Sequence, residues 1–99
     1  MKFQVVLQWP ANSLDDFEEM VGLENLLIAK LSRRSEVDGH DFGSGETNIF
    51  ILTDDAHRTF QEIENILSGH DLWPEARVVY RHIDGVGYSV LRPPGQELC

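Results

Sequence analysis

The densest set of reactive side chains lies in Asp38-Gly39-His40-Asp41-Phe42-Gly43-Ser44-Gly45-Glu46: an imidazole, three carboxylates and a hydroxyl on a glycine-rich backbone. Imidazole nitrogen and carboxylate oxygen both ligate divalent metals, so Asp38, His40, Asp41 and Glu46 form the candidate metal set. Their spacing suits that chemistry poorly. In a strand, Asp38 and His40 share one face and Asp41 takes the other, so only part of the set converges without a bulge. The calcium-loop pattern wants Asp or Asn where His40 and Phe42 stand, and the paired cysteine or histidine spacings of zinc sites are absent. The same residues read better as a binding surface: Phe42 as an apolar anchor among Asp38, Asp41 and Glu46, with His40 beside it. No residue is assigned a catalytic role.

Other candidates reduce to structural jobs. Asp41-Phe42-Gly43 matches the kinase metal-binding tripeptide by letters, but no phosphate loop or catalytic loop accompanies it in 99 residues. Gly43-Ser44-Gly45 lacks the nucleophile-elbow spacing, which leaves Ser44 a loop residue. His57, His70 and His82 are scattered along the chain and read as solvated side chains rather than general bases. Thr53-Asp54-Asp55 fits helix capping, because adjacent carboxylates point apart and cannot act as an acid and base pair. Trp9 and Trp73 each precede a proline and read as lids on the core rather than as exposed anchors.

The elements that must position these residues follow from periodicity. Phe3, Val5, Leu7 and Trp9 alternate with Lys2, Gln4 and Gln8, with Val6 spoiling the polar face slightly, which predicts a strand ended by Pro10. Ser13 and Asp16 then predict the start of a helix with an apolar stripe of Phe17, Met20 or Val21, Leu23, Leu27 and Leu31. Gly22 costs about 1 kcal/mol in a helix interior relative to alanine and predicts a bend or division there. Glu36 to Glu46 is too polar for a core strand and reads as a short edge strand entering a glycine-rich loop. Asn48 to Thr53 is a central strand. The second helix presents Ala56, Phe60, Ile63 and Leu67, and Ser68-Gly69 ends it. Arg77 to Ile83, the turn pair Asp84-Gly85 and Val86 to Leu91 predict a C-terminal hairpin. The order β-α-β-β-α-β, with an extra C-terminal strand, predicts an α+β ferredoxin-like split βαβ sandwich with two helices on one face of an antiparallel sheet. Residues 1–92 form one domain and 93–99 a loose tail.

Composition sets the partner class. Seventeen acidic against eight basic residues give a formal charge of −9, which disfavours nucleic acid and anionic membranes and favours a partner with a basic surface. No apolar run reaches the roughly 18 residues of a membrane span, and the interrupted opening segment reads as a strand rather than a signal peptide. A cytoplasmic protein is expected. Cys99 is the one cysteine and cannot form an intrachain disulfide. No cofactor is expected.

From Val37-Asp38-Gly39-His40-Asp41-Phe42-Gly43-Ser44-Gly45-Glu46-Thr47-Asn48-Ile49-Phe50-Ile51-Leu52-Thr53-Asp54-Asp55 to Phe60, the chain resembles small uncharacterised acidic bacterial α+β proteins with this loop, strand and helix start. In size and acidity it is also similar to immunity proteins that neutralise bacterial toxins, which implies a protein-binding role against a basic toxin. The alternatives are a small metal-dependent enzyme or sensor using the 38–46 loop, and a ferredoxin-like regulatory module that binds a small molecule or forms a homodimer through its sheet.

Overall fold

The computed structural model describes residues 1–10, 17–42 and 46–92, with backbone alone for 17–19 and 42. Its elements run β1 (Phe3–Pro10), α1 (Phe17–Lys30), β2 (Ser35–Phe42), β3 (Glu46–Thr53), α2 (Ala56–Leu67), a 3-10 turn (Trp73–Glu75), β4 (Arg77–His82) and β5 (Ser89–Arg92). The strands form one sheet in the order β2-β3-β1-β4-β5, and every neighbouring pair is antiparallel. The protein is therefore α+β. No helix among the described residues is long and apolar enough to cross a membrane.

Alternation decides which face of the sheet is covered. Val5, Leu7 and Trp9 of β1, Ile49 and Ile51 of β3 and Val78 of β4 form one buried cluster with Met20, Leu23 and Leu27 of α1 and Ala56, Ile63 and Leu67 of α2. Both helices thus lie on the same side of the sheet. Burying each large aliphatic side chain there contributes about 1.5–3 kcal/mol before ordering entropy is subtracted. The Trp9 indole nitrogen donates to the Leu72 carbonyl at 2.9 Å, which joins the end of β1 to the turn before β4. Trp9 and Trp73 are both buried. They are core residues, as the sequence indicates.

Several local expectations change. Helix α1 runs from Phe17 to Lys30 without division at Gly22. Gly22 lies on the exposed side, and the buried stripe of Met20, Leu23 and Leu27 holds the turns on either side of it. The helix start expected at Ser13 and Asp16 lies outside the described residues. Strand β2 is an edge strand but longer than expected, because the polar stretch Gly39 to Phe42 pairs with β3 up to the turn. Strand β5 is shorter than expected: Ile83 to Tyr88 form turns, and only Ser89–Arg92 pair with β4.

The helix-free face reads in three cross-strand rows. Glu36, Leu52, Gln4 and Arg81 make the first; Gly39, Phe50, Val6, Val79 and Val90 the second; Asp41, Asn48, Gln8 and Arg77 the third. Arg81 donates to Gln4 at 3.1 Å and Arg77 to Gln8 at 3.4 Å across the strands. The face therefore has an apolar middle, acidic groups at the β2 side and basic groups on β4.

Candidate functional site

The β2 edge carries the residues singled out in the sequence. Its register shifts between Val37, opposite Ile51, and Gly39, opposite Phe50, so Asp38 is the extra residue of a β-bulge. Gly39 has φ +149°, a backbone region that favours glycine, which accounts for a glycine beside the bulge. The bulge resets the alternation. His40 falls opposite Ile49 on the helix-covered side, whereas Asp41 falls opposite Asn48 on the helix-free side.

That reset separates the candidate ligands. The His40 ring nitrogen Nδ1 lies 3.1 Å from both carboxylate oxygens of Glu24 on α1. This contact ties β2 to the helix and forms an ion pair whenever the ring is protonated. Asp38, Asp41 and Glu46 are exposed, with Glu46 at the start of β3 opposite Pro10. No three His, Cys, Asp or Glu side chains among the described residues stand close enough together to hold a metal ion. The Phe42 backbone pairs with Thr47, while its side chain and residues 43–45, including Ser44, lie outside the described set. The edge is thus a row of exposed carboxylates on a strand that pairs with β3 alone among the described strands.

The remaining histidines have local roles. His70 Nδ1 accepts from the Leu72 amide at 3.1 Å, and His82 Nδ1 accepts from the Asp84 amide at 3.3 Å. His57 packs edge-on against Tyr80, with ring centres 5.3 Å apart. Asp55 caps α2 by accepting from the Arg58 amide at 3.1 Å, as its position after Thr53 predicts.

A second site was not anticipated. At the end of the sheet where β3 enters α2, a cavity of about 460 Å³ is lined by Met1, Arg33, Arg34, Thr53, Asp54, Asp55 and Arg58. Three of the eight Lys and Arg residues of the chain meet there. The loop that carries Arg33 and Arg34 is fastened to α2 because Glu62 accepts from the Ser32 amide at 2.9 Å and its hydroxyl at 3.0 Å. Beneath the cavity a hydroxyl chain runs from Ser35 to Thr59 at 2.7 Å and from Thr59 to Thr53 at 2.8 Å. Thr53 Oγ1 also accepts from the Asp55 amide at 3.1 Å, so the floor is cross-braced between β2, β3 and α2. The adjacent pair Arg33-Arg34 was the one sequence signal for this site, and it reads equally well as a helix C-terminal charge.

No protein-family model, curated protein or solved structure matches the chain.

Proposed function

We propose that the chain is a protein-binding domain whose β2 edge engages a partner with a basic surface. The observation that carries this reading is the bulged edge strand with Asp38 and Asp41 exposed on it and Glu46 exposed across the turn. An edge strand offers unpaired backbone groups to a partner strand, while the carboxylates speed encounter and fix orientation. The bulge and the charges also keep this edge from pairing indiscriminately. An immunity role against a basic toxin is the form of this function that size and acidity support. For the fold, the order β2-β3-β1-β4 with all pairs antiparallel supports the ferredoxin-like split βαβ reading, with β5 added at the β4 side.

The test is co-expression with the product of the neighbouring gene, scored by growth and by co-purification. Rescue of growth with a salt-sensitive complex is expected. Reversing Asp38, Asp41 and Glu46 together to lysine should weaken that complex at least about 100-fold, at roughly 1–2 kcal/mol for each lost charge contact. A complex unaffected by the triple reversal would show that the edge is not the interface.

The charge arrangement of the helix-free face favours a second reading, a module that pairs with a second copy of itself. A two-fold axis parallel to the strands and between β1 and β3 would set the β2 of one copy over the β4 of the other. Glu36 would then oppose Arg81 and Asp41 would oppose Arg77. The contact would rest on these charges, because Val6 and Val79 of the middle row are already buried within one chain. Sedimentation velocity from micromolar to millimolar protein should show a weak dimer. Glu36→Arg/Asp41→Arg should abolish it, and mixing that variant with Arg77→Glu/Arg81→Glu should restore a heterodimer. A monomer at every concentration rejects this reading and leaves the edge proposal intact.

A further inference from the structure

We infer that the cavity at the start of α2 binds a phosphoryl group on a small molecule, held by Arg33, Arg34 and Arg58. The chain carries a formal charge of −9, yet three arginines line one concavity in it. The two carboxylates that share the lining each have a partner within it. Asp55 caps the helix, and Asp54 pairs with the α-amino group of Met1 at 3.6 Å. Arg58 makes one long contact to Glu62 at 3.9 Å, and neither Arg33 nor Arg34 has an ion-pair partner among the described residues. Guanidinium groups present forked donors that match the oxygens of a phosphate, and three of them suit a doubly charged group better than a single carboxylate.

The geometry also sets the size of the ligand. About 460 Å³ falls within the range of small-molecule sites and exceeds what a bare phosphate ion fills. Met1 is the one apolar residue among the described residues of the lining. The site is held open in advance, since Glu62 fastens the Ser32 turn and the Ser35, Thr59 and Thr53 hydroxyls brace the floor. Its lining contains none of Asp38, Asp41 and Glu46 and none of Glu36, Arg77 and Arg81. The inference therefore stands or falls separately from the protein-binding reading.

The test is a titration of the full chain, followed by amide chemical shifts, at ionic strength held constant with chloride. The probes are inorganic phosphate, glycerol 3-phosphate and succinate. Saturable shifts confined to residues 32–35 and 53–58 are expected, with glycerol 3-phosphate binding more tightly than phosphate. Equal binding of the two phosphates would still support a phosphoryl site and assign inorganic phosphate as its ligand. Arg33→Gln/Arg34→Gln should weaken binding at least tenfold, whereas Arg77→Gln/Arg81→Gln should leave it unchanged. Both pairs are on the surface, and well-dispersed amide spectra would verify that each variant is folded. No saturable shift, equal weakening by the two pairs, or binding of succinate alone would overturn the inference.

Discussion

Trp9→Ala is expected to lower the unfolding free energy by about 4 kcal/mol, the usual scale for deleting a buried large aromatic ring. Domains of this size have about 5–15 kcal/mol in total, so the variant should be partly unfolded near physiological temperature. The ring is 1% exposed and belongs to the cluster that joins β1 to both helices. Its nitrogen also satisfies the Leu72 carbonyl. Trp9→Phe separates these two contributions, because it keeps most of the apolar ring and removes only the donor. That variant should cost about 1–3 kcal/mol, the penalty for a buried acceptor without a partner. Urea unfolding followed by Trp73 fluorescence measures both, since Trp73 is the other tryptophan of the chain. A Trp9→Ala cost below about 1 kcal/mol would mean that the ring does not close the core in solution.

The same residues explain which parts of the fold were legible in sequence. The alternation in Phe3 to Trp9, interrupted at Val6, and the compact apolar run in Asn48 to Thr53 are both local signals, and both strands form where these put them. The α2 face of Ala56, Phe60, Ile63 and Leu67 is likewise a local pattern, and its residues are buried or half-buried. The helix is not divided at Gly22, because propensity is a local cost of about 1 kcal/mol, which the packing of Met20, Leu23 and Leu27 outweighs. The bulge at Asp38 was invisible for another reason. A bulge is fixed by the register of the partner strand, and one extra residue moves His40 to the opposite face from the one that simple alternation assigns. Its partner Glu24 lies on α1, 16 residues away, and no spacing rule links the two. The cavity was hidden for the same kind of cause. Arg33 and Arg34 approach Arg58 only because the Ser32 turn folds back onto Glu62 of α2.

Arg92 leads to the second large effect. It is 3% exposed, its guanidinium stands 4.3 Å from the centre of the Trp73 ring, and it donates to the Ala76 carbonyl. Burial lowers its pKa from the usual guanidinium value, with the Glu64 carboxylate acting in the opposite direction, and an arginine remains charged at physiological pH. A charge in this position is costly to bury, and its contacts with the ring and the carbonyl offset that cost. Arg92→Ala removes the stem, the cation over the ring and the donor together, and should destabilise the protein by about 3 kcal/mol. Arg92→Met keeps a stem over Trp73 and should recover part of that loss. The two should also differ locally from Trp9→Ala. Strand β5 has only four residues and covers the outer edge of β4, so losing the Arg92 anchor should release it before the rest of the sheet unfolds. Hydrogen exchange would then show amides of Val78 and Tyr80 losing protection ahead of those in β1 and β3. A uniform loss of protection across the sheet would mean that β5 unfolds only with the whole domain, and that Arg92 acts through the core rather than by fastening the edge.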